Sequence, residues 1–396
     1  MSAPRALIHV QHLLGVGHLR RALALGRALA DAGAKVTVAS GGMGVPNLPT
    51  TGLDFVELPP ARAADATFKR LLDESGQPID DAWRARRKDA LLRLFASVDP
   101  DLLVIELYPF GRRQLRFELE PLLDAAHARP RRPTIACSLR DIIHPPAPGR
   151  VDGVVEAVRE RFDMVLVHGD PGLIPLELSF PDVARIAGRL HYTGYLLDQP
   201  LPTAASRREP PREPEVIVSS GGGAVGEPLL KTALAARTLT RHRGRPWRLL
   251  AGHNLGEAAF QALCREAPPG VIVERARPDF TALLPGALCS VSQAGYNTAI
   301  EVLAARAPAV FVPFADEAEV EQTLRCRALA RHGLCRWVPP TALSPQALAQ
   351  AIDAAEPPPP GLVIDIDGGR NSATLLLRAV AEKATFAGDL SQRRDP

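Results

Sequence analysis

Short runs of apolar and β-branched residues alternate with longer amphipathic stretches along nearly the whole chain. In the first half the short runs fall at residues 6–12, 35–40, 53–58, 101–107, 134–139 and 164–169, and each reads as a strand. Between them, 18–32, 80–97, 113–128 and 151–162 carry the spacing of amphipathic helices. Strands that are apolar almost throughout must be covered on both faces. Helix-separated strands of that kind predict a parallel α/β sheet.

The pattern stops at residues 198–214, a stretch rich in Pro, Arg and Glu without apolar periodicity, which reads as a linker. It then restarts, with strand-like runs at 216–223, 247–252, 271–276, 288–293, 309–314 and 334–339. A Pro-rich break at 356–361 precedes a last helix near 371–386. The expected organisation is an N-terminal Rossmann-like domain over 1–197 and a C-terminal one over 215–396, with the last helix free to pack back on the first. Two such domains would face each other across a cleft, with ligands beyond the carboxyl ends of the strands.

Composition narrows the partners. At 396 residues the chain accommodates two ordinary domains, and 46% hydrophobic with 23% charged residues fits a globular protein. A net charge of only +3 gives no reason to expect nucleic acid. The five cysteines (Cys137, Cys264, Cys289, Cys326 and Cys335) form no CxxC, so neither a zinc ribbon nor a disulfide framework is expected. With no signal-peptide pattern and no apolar run of about 20 residues, the expected location is the cytoplasm, at most peripheral to a membrane.

Two glycine-rich turns follow strands. In the second half, "SSGGGAVGEP" places Gly221, Gly222 and Gly223 between a strand and a helix, where free N–H groups and the helix dipole suit a diphosphate. The run is neither a Walker loop nor GxGxxG. In the first half, "GVGH" places Gly15, Gly17 and His18 at the start of a helix.

Residues 290–333, "SVSQAGYNTAIEVLAARAPAVFVPFADEAEVEQTLRCRALARHG", resemble the nucleotide-sugar half of GT-B glycosyltransferases. Within these, they are similar to the family 28 enzymes typified by the peptidoglycan N-acetylglucosaminyltransferase. The resemblance rests on Gly295, Thr298 and Glu301, on the Val-Pro-Phe of 312–314, and on Gln322 beside Glu321. It implies a GT-B fold and metal-independent transfer from a nucleotide sugar, with a UDP-linked donor expected. It also implies ribose hydroxyls on Glu301, and sugar or diphosphate on Gln322 and Glu321, with Asn297 on the same helix start. Independently, a carboxylate on a first helical turn can accept both hydroxyls of a cis-diol. The plainer role for Glu301 is a solvated acid favoured by the helix dipole.

On the acceptor side, the family's N-terminal turn carries a histidine, which makes His18 the candidate base, since imidazole titrates near neutrality. Gly15 and Gly17 would allow close approach. Glu106, ending an apolar strand, is the second candidate, either as base or as the group that orients His18; Arg140 and Asp141 end the next strand, and a mutual ion pair is their simpler role. Asp365 and Asp367 form a DxD pattern, but before the final helix they read as a turn, so no metal site is expected. No cofactor is expected beyond the nucleotide-sugar substrate, and the acceptor is open between lipid-linked, glycan and small-molecule types. The basic stretch at 83–95 could rest on an anionic membrane, although a basic surface helix is the commoner case. Two rival functions share the scaffold: a UDP-sugar 2-epimerase or hydrolase, and a non-catalytic nucleotide-sugar-binding regulator.

Overall fold

The computed structural model describes residues 3–13, 15–46, 48–65, 70–197, 213–221, 226–314 and 320–392, with side chains to residue 385. They divide into two compact units, one of residues 1–171, 175–198 and 365–396, the other of 172–174 and 199–364. Residues 198–212 of the expected linker lie outside the described residues.

Unit 1 carries strands β1 (Arg5–Val10), β2 (Lys35–Ser40), β3 (Asp54–Glu57), a two-residue pair β4 (Arg62–Ala63) and β5 (Leu71–Leu72), then β6 (Leu102–Glu106), β7 (Thr134–Arg140), β8 (Met164–His168) and β9 (Leu190–Tyr192). Its helices are α1 (Gly17–Asp31), α2 (Asp81–Val98), α3 (Arg116–His127) and α4 (Val151–Arg161). The main sheet is parallel, in the order β3-β2-β1-β6-β7-β8-β9. Alternate residues of the central strands feed two cores. Leu7, Leu103 and Ile105 join Leu91, Leu119 and Val158 of α2, α3 and α4, whereas Ala6, Ile8, Leu102 and Val104 join Leu19 and Leu23 of α1. That is why these strands are apolar on both faces.

Unit 2 repeats the plan with β10 (Val216–Ser219), β11 (Trp247–Ala251), β12 (Val271–Arg275), β13 (Cys289–Ser292), β14 (Ala309–Phe311) and β15 (Arg336–Trp337). Its helices are α5 (Glu227–Arg237), α6 (Glu257–Glu266), α7 (Phe280–Leu283), α8 (Tyr296–Ala304), α9 (Glu321–Arg331) and α10 (Pro345–Asp353). The order is β12-β11-β10-β13-β14-β15, again parallel. Each sheet reverses its winding once, between β1 and β6 in unit 1 and between β10 and β13 in unit 2. Such switch points open a crevice at the carboxyl ends of the strands, the usual ligand position in this architecture.

The last helix, α11 (Gly368–Gln392), belongs to unit 1, where Ala373 and Leu376 enter the core beside α1. The Asp365–Asp367 turn makes that junction. The backbone of Tyr195 donates to the Asp365 carbonyl at 2.7 Å, and the Asp365 carboxylate accepts from the Asp367 amide at 2.9 Å and the Asn371 side chain at 3.2 Å. Asp367 pairs with Arg370. No group of three metal-ligating side chains occurs among the described residues.

Helix α2 turns Trp83, Arg87, Leu91 and Phe95 inward, so the apolar residues of the basic stretch are core residues. Arg87 is completely buried. Its guanidinium meets the Glu118 carboxylate at 2.7 and 2.8 Å, the Gln11 side chain at 2.6 Å, and the carbonyls of Gly41 and Pro59 at 2.8 Å. A side chain at Gly41 would collide with that guanidinium. Fully bonded, the pair is tolerable; broken, it leaves a charge in the core. Arg87→Ala should therefore cost about 3–5 kcal/mol in urea unfolding, and adding Glu118→Gln should recover part of the loss. A cost near zero for Arg87→Ala would contradict this account.

Candidate functional site

In unit 1 the switch point is occupied by charge. His18 sits one residue inside the start of α1, just after β1, and Glu106 is the last residue of β6. The reversal of winding brings them together: His18 Nδ1 lies 2.7 Å from Glu106 Oε1. Arg21, one helical turn after His18, reaches the same oxygen at 2.5 Å. The His18 side chain is 16% exposed and that of Glu106 only 1%, so the imidazole keeps some access to solvent while the carboxylate does not.

The charge states follow from the partners. Burial pushes the Glu106 carboxyl up, but His18, Arg21 and Arg112 outweigh it and hold the group well below the usual carboxylate range. Burial brings His18 down to about 4, furthered by Arg112 and Arg140 and opposed by Glu106. At neutral pH Glu106 is thus an anion that can only accept, so His18 Nδ1 carries the proton and Nε2 carries the lone pair. Between the two roles open for Glu106, this geometry favours orienting His18 over acting as base. Behind them, His168 bonds the hydroxyls of Ser138 and Thr193 at 2.8 and 2.9 Å, and burial brings it down to about 3.

The neighbouring candidates fall around this pair. An added side chain would meet nothing within 4 Å at Gly15 or Gly17, so the space over the turn is open. Arg140 ends β7 and acts electrostatically on His18, whereas the Asp141 carboxylate is fully buried and accepts from the Ile142 amide at 2.8 Å. Sequence reasoning missed Arg21. Its signal was an arginine on the apolar face of α1, buried among Leu19, Ala22 and Leu23.

In unit 2 the turns after β10 and β13 adjoin at the switch point. Gly221 takes φ +66°, a conformation that favours glycine, and Gln293 Oε1 lies 3.7 Å from where its side chain would begin. Gly222 and Gly223 lie outside the described residues. Gly226 caps α5 and leaves room for Ser220, whose hydroxyl accepts from the Gly252 amide at 2.9 Å. Gly295 caps α8 and makes no side-chain cap bond, and the first-turn N–H groups of Asn297 and Thr298 have no partner inside the helix. Asn297, Thr298 and Glu301 are all partly exposed on that helix.

The start of α9 grips this turn. Gln322 Oε1 accepts from the backbone of Ala294 at 3.1 Å and of Phe314 at 3.0 Å. With the oxygen engaged, the amide NH2 remains for a ligand. Glu321 is buried and bonds Arg325 at 2.9 Å, while Arg325 reaches the Ala294 carbonyl at 2.8 Å. Arg325 was missed, though Glu321 and Arg325 stand at the i, i+4 spacing of a helical ion pair.

Residues 264–362, which include β13, α8, β14 and α9, match the glycosyltransferase family 28 C-terminal domain. No curated protein matches the chain. Solved structures match it nearly end to end. The calicheamicin glycosyltransferase CalG4 is 16% identical with a TM-score of 0.60, covering 99% of this chain and 100% of its own. MurG of Acinetobacter baumannii is 16% identical with a TM-score of 0.57, covering 98% and 100%. Os79 from O. sativa, solved with UDP, is 16% identical with a TM-score of 0.60, covering 97% and 99%. The fold is the GT-B fold of glycosyltransferases. The likeness to MurG is no stronger than to the others, so the narrower resemblance drawn from sequence is not singled out.

The arrangement in unit 1 makes a titration prediction. In histidine NMR, His18 should titrate near 4, below its ordinary 6.5. Glu106→Gln should lower it further, because the lost carboxylate stabilises the imidazolium. A midpoint near 6.5, or a rise in Glu106→Gln, would contradict the assigned charge states.

Proposed function

We propose that this protein is a glycosyltransferase that moves a sugar from a UDP-linked donor to an acceptor hydroxyl without a metal ion. The observation that carries the proposal is His18, held at Nδ1 by the ionised Glu106, with its side chain still partly exposed. His18 Nε2 takes the proton of the acceptor hydroxyl as its oxygen bonds to the anomeric carbon. The bond from that carbon to the diphosphate breaks, and its electron pair leaves with the diphosphate. Glu106 orients the imidazole and stabilises the imidazolium as it forms.

The donor is assigned to unit 2. The turn at Gly221 and the uncapped start of α8 present N–H groups to the departing diphosphate, a charge they can stabilise without a cation. Glu301 accepts from the ribose hydroxyls, and the Gln322 amide donates to the sugar or diphosphate. The glycosyltransferase domain match covers α8, Glu301 and Gln322, though not Gly221, and supports their assignment; Os79 was solved with UDP. A 2-epimerase or hydrolase would form product without acceptor, and a regulator would bind donor without turnover. We place the reaction in the cytoplasm; no helix among the described residues is long and apolar enough to cross a membrane.

Three measurements on the same preparations test the roles. Glu301→Ala should weaken UDP binding about 10- to 100-fold in calorimetry. His18→Ala should bind UDP as wild type does yet lose transfer by about 10²–10⁴. Transfer should survive excess chelator. Unchanged UDP affinity in Glu301→Ala removes that residue from the site, full transfer by His18→Ala removes the base, and a Mg²⁺-reversible loss removes the metal-free route.

The acid limb of kcat/KM should lie near the His18 value of about 4, because protonation at Nε2 removes the base as pH falls. An acid limb near 6.5 would show that an ordinary histidine, not this one, governs the rate.

A further inference from the structure

Two adjacent arginines of α1 meet opposite fates. Arg20 is exposed, whereas Arg21 is buried among Leu19, Ala22 and Leu23. An arginine there is a cation taken out of water, and a methionine would fill similar space without that cost. Packing therefore does not account for it, but its bonds do. Arg21 Nη2 lies 2.5 Å from Glu106 Oε1 and 3.1 Å from His18 Nδ1. With His18 Nδ1 itself 2.7 Å from Glu106 Oε1, polar atoms of three side chains close a triangle. Glu106 Oε2 is buried and makes no hydrogen bond among the described residues, so the carboxylate is held through this triangle.

The triangle puts opposite demands on one nitrogen. A guanidinium N–H can only donate, and an ionised carboxylate can only accept. Bearing a proton, His18 Nδ1 donates to Glu106 and leaves the lone pair on Nε2. Without a proton it accepts from Arg21, and the proton sits on Nε2, which then cannot act as a base. Glu106 prevails at the shorter distance, because a lone pair turned toward a carboxylate oxygen at 2.7 Å would be repelled. Take the carboxylate away, and Arg21 alone is left to choose the tautomer.

We propose that Arg21 is a positioning residue of the unit 1 site, anchoring Glu106 through Oε1 and making the base form of His18 conditional on that carboxylate. This deepens the transferase reading and rests on it only for the word base; the tautomer is a property of unit 1 alone. The Arg21 side chain is 2% exposed, so it acts through Glu106 and His18 and not on a substrate. Its charge also opposes the imidazolium at 3.1 Å. Arg112 after β6 and Arg140 at the end of β7 oppose it too, Glu106 of β6 favours it, and His168 of β8 is neutral.

The test is a two-residue cycle on the full chain: wild type, Arg21→Met, Glu106→Leu and the double variant. Nitrogen-resolved histidine NMR reads which ring nitrogen carries the proton, and the signal lost in His18→Gln identifies His18. Wild type should be protonated at Nδ1. Arg21→Met should remain so, with its His18 midpoint raised from about 4 to above about 5, and Arg21→Lys, which restores the charge, should bring it back. Glu106→Leu should move the proton to Nε2. In the double variant the fraction protonated at Nδ1 should exceed that of Glu106→Leu about tenfold, because the charged hydrogen bond to Nδ1 is gone. A merely structural arginine would change the yield of folded protein and leave tautomer and midpoint where they were. A proton that stays at Nδ1 in Glu106→Leu, or a midpoint unmoved in Arg21→Met, overturns the proposal. If Glu106→Leu does not fold, the midpoints of Arg21→Met and Arg21→Lys decide it. No substrate enters these readings, so the transferase reading falls separately, on the transfer activity of His18→Ala.

Discussion

The constraint on which unit 1 turns is a carboxylate buried at the end of a strand. Glu106 is almost fully excluded from water, and an ion there is tolerable only with partners. The winding reversal delivers two of them from one helix, His18 and Arg21, three residues apart and on the same face. Moving α1 by a residue would separate both from the carboxylate. The register of β1 and β6, with Leu7 opposite Leu103 and Ile8 opposite Val104, is therefore a condition for the chemistry as well as for the core.

Charge balance explains why His18, and not the other buried histidines, is the proposed base. His18, His12 and His168 all lie below their ordinary range, with burial the largest cause for each. His168 spends both ring nitrogens on hydroxyls, and His12 spends one on a carbonyl. His18 spends one on an anion, and its side chain stays partly exposed. Because each of the three is neutral when folded and titrates higher when unfolded, the unfolded chain binds more protons in mildly acid solution. The stability they contribute is complete above the unfolded value of 6.5 and drains away as pH falls, down to about 4 for His18 and about 3 for His168.

The strands and helices were legible because burial on both faces leaves an unbroken apolar signature. The strand run expected at 101–107 is β6, and the helix expected at 18–32 is α1, shifted by one residue. Among the strands of two or three residues, β14 and β15 lie inside longer apolar runs and were expected, whereas β4, β5 and β9 leave no period and were missed. For the site, single residues were readable but their partners were not. His18 and Glu106 stood out through position, yet their contact spans 88 residues of sequence and exists only because of strand order. Arg87 read as part of a basic surface face, since charge on a helix does not reveal which side is covered. Glu321 read as a sugar contact and proves to be bonded to Arg325, a pair whose effect is felt at Ala294.

The two units use their switch points differently, and the difference follows from what each must hold. Unit 2 meets its proposed ligand with backbone: a glycine turn and an uncapped helix start, fixed from behind by Gln322 and Arg325. Backbone N–H groups carry partial charges that cannot be titrated away, which suits a leaving group whose charge grows during reaction. Unit 1 presents side chains instead, as its proposed task of taking a proton requires, because only a titratable group can do so. A titratable group must be kept neutral before the step and stabilised as a cation after it. Burial and the guanidiniums of Arg112 and Arg140 do the first; Glu106 does the second. The same guanidiniums that keep His18 unprotonated also weaken it as a base.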